Sequence, residues 1–144
     1  MATKYSDIVD LRSGRSTYYL EEEKAGDWSV FIVNDQFNDI LRTVVRSVMN
    51  NDLDAHKSFW IEGTYGTGKT HAGAVLKHLL CDDVSAIEEW LLGEYKLPKF
   101  EGLCQSVFDL RKKKRLFPVT LYGASSIAHP DDLSLQLQQK IQEA

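Results

Sequence analysis

The chain has 144 residues, with 17 Lys and Arg against 21 Asp and Glu, a formal net charge of −4 and 43% hydrophobic residues. That is one domain by length, with enough apolar side chain to bury a core. The balance excludes a strongly basic global field that would recruit nucleic acid or an anionic membrane, so partners must be argued from local sites.

Nothing reads as a signal peptide or a spanning segment, which predicts no membrane partner. Cys81 and Cys104 lack the His or Cys neighbours of a zinc site and read as free thiols of a cytoplasmic protein.

Residues 1–28 are polar and too sparse in apolar side chains for a core of their own, so they read as an N-terminal extension partly ordered on the surface. Within them Ser13-Gly14-Arg15-Ser16 is a turn signal and Ser16 to Leu20 a candidate short strand. Val30-Phe31-Ile32-Val33 is an extended apolar run. Asn34 then serves as N-cap for a helix with Phe37, Ile40, Leu41, Val44, Val45 and Val48 on one face. Asn50 to His56 is a polar connection.

Ser58-Phe59-Trp60-Ile61-Glu62 follows, aromatic and β-branched, and predicts a buried strand. It runs directly into Gly63-Thr64-Tyr65-Gly66-Thr67-Gly68-Lys69-Thr70, which fits the phosphate-binding pattern G-x-x-x-x-G-K-[ST]. A nucleoside triphosphate is a compact cluster of negative charge. The chemistry that matches it is a loop of backbone N–H groups, and glycines at 63, 66 and 68 clear the space that side chains would obstruct. Lys69 would reach the β- and γ-phosphates, and the Thr70 hydroxyl would ligate the Mg²⁺ that bridges them. A helix from His71 to Leu80, apolar at Ala72, Val75, Leu76, Leu79 and Leu80, points its positive end at the anion.

Further along, Cys81-Asp82-Asp83 stops that helix and starts another, which carries Val84, Ile87, Trp90 and Leu91 as far as Gly93. After a loop to Pro98, Leu103, Val107 and Leu110 predict a helix from about Gly102 to Arg115. It ends in Arg111-Lys112-Lys113-Lys114-Arg115, which favours the negative end of a helix and leaves open contact with a nucleic-acid backbone or an arginine finger. Leu116 to Tyr122 is a second candidate strand, followed by a loop at Gly123 to Ser126. Pro130-Asp131-Asp132 opens a last helix with Leu133, Leu137 and Ile141 on one face.

Strand, helices and a returning strand predict an α/β fold, a P-loop NTPase with a parallel sheet and flanking helices. No acidic residue follows the second strand in the position of a Walker B carboxylate, and two strands fall short of the usual sheet. Residues 29–144 therefore read as the N-terminal portion of an incomplete nucleotide-binding domain. Such a chain binds nucleotide without turnover until the other half supplies the carboxylate.

The stretch Phe59 to His71 resembles that of large bacterial P-loop ATPases of the AAA+ and STAND-like kind, nearest those of BREX-type phage-exclusion systems. These share an aromatic strand, a Tyr or Phe before Gly-[ST]-Gly-Lys-[ST], and a His after it. Tyr122-Gly123 and His129-Pro130-Asp131-Asp132-Leu133 are similar as well. The extended run Val30 to Val33, its helix and the loop strand follow the layout of the AAA+ N-linker, which implies that Phe31 to Val33 lie near an adenine. The resemblance implies ATP and Mg²⁺ at Gly63 to Thr70, with His71 near the nucleotide. It also implies further domains or subunits of one ATPase, with nucleic acid as an indirect partner. Two other classes stay open: a small P-loop kinase, and an interaction module that does not hydrolyse.

Overall fold

Asn34 starts the first long helix, because its side-chain Oδ1 accepts the Phe37 backbone N–H at 2.9 Å. This bond is seen in a computed structural model that describes residues 18–52, 57–96, 100–121 and 127–143. The turn at Ser13 to Ser16, the start of the strand at Ser16, the end of the connection at His56, Pro98 and the segment Tyr122 to Ser126 lie outside the described residues. The helices are α1 (Asp35–Met49), α2 (Lys69–Cys81), α3 (Val84–Glu94), α4 (Glu101–Lys113) and α5 (Pro130–Glu143). Short 3₁₀ turns at Leu20–Glu22 and Asp27–Val30 precede them.

Four of these helices share one core. Phe37, Leu41 and Val45 of α1, Val75 and Leu79 of α2, Ile87 and Leu91 of α3, and Leu103, Val107 and Leu110 of α4 form a single buried cluster with Trp28 and Phe31. Each set recurs at three or four residues, so each helix turns one stripe inward and the stripes close over each other. α5 contributes nothing to the cluster, and its Leu135 and Ile141 are exposed.

The expected α/β architecture is overturned. Among the described residues there is no strand and no sheet, so the parallel-sheet P-loop domain, complete or incomplete, is not what this chain forms. The three runs that predicted or suggested extended core, Val30 to Val33, Ser58 to Glu62 and, as far as it is described, Leu116 to Leu121, carry no ladder bonds. A strand exists only where a second strand satisfies its N–H and C=O groups; propensity in a single run cannot supply one. Burial fails with pairing. Trp60 is 89% exposed and Phe117 56%, whereas strands of a parallel sheet are covered on both faces.

The basic run at the end of α4 has a structural use. Arg111 donates to the carbonyls of Leu79, at 3.3 Å, and Asp82, while Lys114 Nζ donates to Val48 O at 2.5 Å. These carbonyls lie at or just past the C-terminal ends of α2 and α1, where helices leave acceptors unpaired and favour cations. Two of the five cations thus fasten three helices together.

Residues 18–31 lie along α2 like a strap. Trp28 is buried and stacks on His78, with ring centroids 5.0 Å apart, and Trp90 Nε1 donates to Ser29 O at 2.7 Å. Glu23 accepts from the Tyr18 hydroxyl and from Lys77 Nζ at 2.5 Å, and it lies 2.6 Å from His78 Nε2.

Candidate phosphate-binding site

The loop from Gly63 to Gly68 is shaped by its glycines. Gly66 and Gly68 both have positive φ, +80° and +77°, so left-handed residues alternate with Thr67. Backbone of that alternating hand turns successive N–H groups toward one side and makes an anion-binding concavity. At Gly63 the constraint is space, because an added Cβ would meet Thr67 Oγ1 at 3.0 Å. The N–H groups of Gly66, Thr67, Gly68, Lys69 and Thr70 donate to no acceptor among the described residues. Those of Lys69 and Thr70 also open α2, at the positive end of its dipole.

Lys69 closes the loop on itself. Its Nζ donates to Gly63 O at 2.8 Å and Thr64 O at 2.6 Å, and Thr67 Oγ1 donates to Thr64 O at 2.9 Å. The cation therefore sits over the loop, held by neutral carbonyls. Phosphate oxygens, being charged, make the stronger hydrogen bonds and would draw it across.

Beside the loop lies a cleft of about 290 Å³, of the size of the smaller ligand sites. Gly63, Thr64, Thr67, Gly68 and Lys69 form its loop side, and Phe31, Phe37, Ile40 and Ile61 give it an apolar side. Asn34, Gln36 and Glu62 complete the lining with polar groups. Compared with known protein families, curated proteins and solved structures, the chain matches none. The functional argument therefore rests on this geometry.

Of the residues singled out in sequence, Gly63, Thr64, Thr67, Gly68 and Lys69 line the cleft; Tyr65, Gly66, Thr70 and His71 do not. Tyr65 is 93% exposed. His71 turns instead to the strap, with Nε2 3.1 Å from Trp28 O, its ring stacked on Tyr18 at 4.2 Å and edge-on to Phe31 at 5.1 Å. A carbonyl only accepts, so this contact fixes the tautomer protonated at Nε2. Burial holds the His71 pKa below its ordinary value despite hydrogen bonds that favour the cation.

Thr70 is exposed in the first turn of α2 and offers its hydroxyl as one hard oxygen ligand. Among the described residues no group of three or more His, Cys, Asp or Glu could hold a metal.

Sequence reasoning missed Gln36, Phe37, Ile40 and Glu62 as cleft residues. Ile40 and Phe37 read as ordinary core positions of α1, and only the folding of α1 against the loop turns that end toward the site. Phe31, expected near an adenine through the resemblance alone, lines the cleft, whereas Ile32 beside it is 69% exposed.

Proposed function

We propose that this chain binds a nucleoside triphosphate as its Mg²⁺ complex, ATP in the first instance. The observation that carries the reading is the run of five N–H groups from Gly66 to Thr70 that find no acceptor among the described residues, next to a lysine whose ammonium is held by neutral oxygens, the Gly63 and Thr64 carbonyls and the Thr67 hydroxyl. The β-phosphate would take the loop N–H groups, Lys69 would pass from Gly63 O and Thr64 O to the β- and γ-oxygens, and Thr70 would hold Mg²⁺. Bound there, Mg²⁺ would neutralise phosphate charge. The apolar side at Phe31 and Ile61 would receive the base, with Asn34, Gln36 and Glu62 within the same cleft to pair its polar edge.

Binding without turnover is the expected behaviour of the chain, as one module of a larger ATPase. A role in phage exclusion or on DNA rests on the resemblance of Phe59 to His71 alone. Cys81 and Cys104 are free and partly or fully buried, which supports a cytoplasmic setting. Among the described residues no helix is long and apolar enough to cross a membrane.

A second reading, an interaction module, is favoured by two exposed rings, Trp60 just before the loop at 89% and Tyr65 within it at 93%. Calorimetric titration with Mg²⁺ and ATP, beside Lys69→Ala and with phosphate release followed in the same samples, separates the two. Binding that the substitution abolishes supports the nucleotide module. A folded chain that binds no triphosphate leaves the interaction module standing.

A further inference from the structure

We propose that His71 is a positioning residue for the base: it sets the place of Phe31 and so couples the helix that bears the phosphate loop to the apolar wall of the cleft. This rests on the nucleotide reading above. Lys69 and His71 are two residues apart on α2, hence about 200° apart around the helix, so they face opposite ways. Lys69 points to the loop and His71 to the strap.

The link between His71 and Phe31 is a shared acceptor. Trp28 O takes the Phe31 backbone N–H at 3.2 Å and lies 3.1 Å from His71 Nε2. The same imidazole meets the Phe31 ring edge-on at 5.1 Å, and Phe31 in turn packs on Phe37 at 4.8 Å. Both phenylalanines line the cleft. Behind His71 the Tyr18 ring closes the stack at 4.2 Å. The imidazole therefore reaches Phe31 twice, through the shared Trp28 carbonyl and through its ring, while it does not itself line the cleft. A side chain placed so should govern how well the base is held and leave the phosphates alone.

The test uses the full chain with two ligands, Mg-ATP and Mg-tripolyphosphate, the second having phosphates and no base. For His71→Ala the ATP affinity should fall about tenfold while tripolyphosphate changes by less than about twofold. Phe31→Ala should give the same split, and adding His71→Ala to it should cost little more, because the two act through one contact. His71→Gln, which keeps a donor for Trp28 O and is the milder change if the alanine variant loses helicity, should lose less ATP affinity in the same direction. Equal weakening of both ligands, or no change in either, overturns the proposal and leaves triphosphate binding intact. A wild-type chain that binds neither ligand overturns the nucleotide reading and this proposal together.

Discussion

Glu23 Oε1 and His78 Nε2, separated by 55 positions in the chain, lie 2.6 Å apart. The carboxylate also takes Lys77 and the Tyr18 hydroxyl, and His78 Nδ1 sits 2.5 Å from Asp82 Oδ2. Burial pushes the Glu23 pKa up, but the hydrogen bonds from Lys77, Tyr18 and His78 outweigh it and hold the group at about 2. A carboxylate depressed in the folded state stabilises it above the ordinary value near 4.5, and the contribution is lost as pH falls toward 2. Glu23→Gln should therefore cost on the order of 2 kcal/mol at neutral pH and flatten the loss between about pH 5 and 2. Denaturant unfolding at stepped pH checks it.

A separate window belongs to His71. Its pKa is depressed by burial, so the unfolded chain takes the proton first and stability falls as pH drops through the ordinary value of 6.5. In Glu23→Gln that fall, which sets in as pH drops through the ordinary value of 6.5, should persist. In His71→Gln it should vanish. The same denaturant series read at both positions assigns each window to its residue.

Arg111 and Lys113 stand in the same basic run and should behave oppositely. Arg111 donates to Leu79 O and Asp82 O, whereas Lys113 is exposed in the last turn of α4. Arg111→Met should lower stability by about 1–2 kcal/mol, and Lys113→Met should stay within about 0.5 kcal/mol. A nucleic-acid surface would give the reverse, with small stability effects and shared loss of binding. Thermal melts of the two variants, with and without duplex DNA, decide it.

The helices were legible because their signal is contained in single segments. Asn34 with Phe37, Leu41 and Val45 spells a cap and a face, and Leu103 with Val107 and Leu110 a face, without reference to any other part of the chain. The shape of the turn from Gly63 to Gly68 was legible for the same reason, since Gly66 and Gly68 take a positive φ and Gly63 leaves no room for a side chain. What failed was non-local. A strand at Ser58 to Glu62 needs a partner that the run itself cannot name, and the use of His71 depends on Trp28 and Phe31, some forty residues upstream. Gln36 and Glu62 carry no pattern at all; their place in the cleft comes from how α1 meets the loop.

Gly63 offers a test of the loop at its tightest point. A methyl group there would meet Thr67 Oγ1 at 3.0 Å and Lys69 Cδ at 3.6 Å, so Thr67 and Lys69 must shift. Both line the cleft on its loop side. Gly63→Ala should leave stability within about 1 kcal/mol, because the loop is exposed, and weaken ATP and tripolyphosphate alike by about tenfold. That pattern is distinct from the split expected at His71, and calorimetry with both ligands reads it.

Trp60 decides between the observed fold and the sheet that its neighbourhood suggested. In a buried strand the indole would be core, and Trp60→Ser would cost about 3–5 kcal/mol as large aromatic deletions do. At 89% exposure, within an unpaired segment, its ring has little to lose. Trp60→Ser should therefore change the free energy of unfolding by no more than about 0.5 kcal/mol, the range of surface substitutions away from caps and cores. The emission of wild-type Trp60 should also be quenched by iodide, whereas that of Trp28, buried against His78, should resist. A large loss of stability together with a protected Trp60 would restore a covered strand at 58 to 62; a small loss with a quenchable ring agrees with the helical core described here.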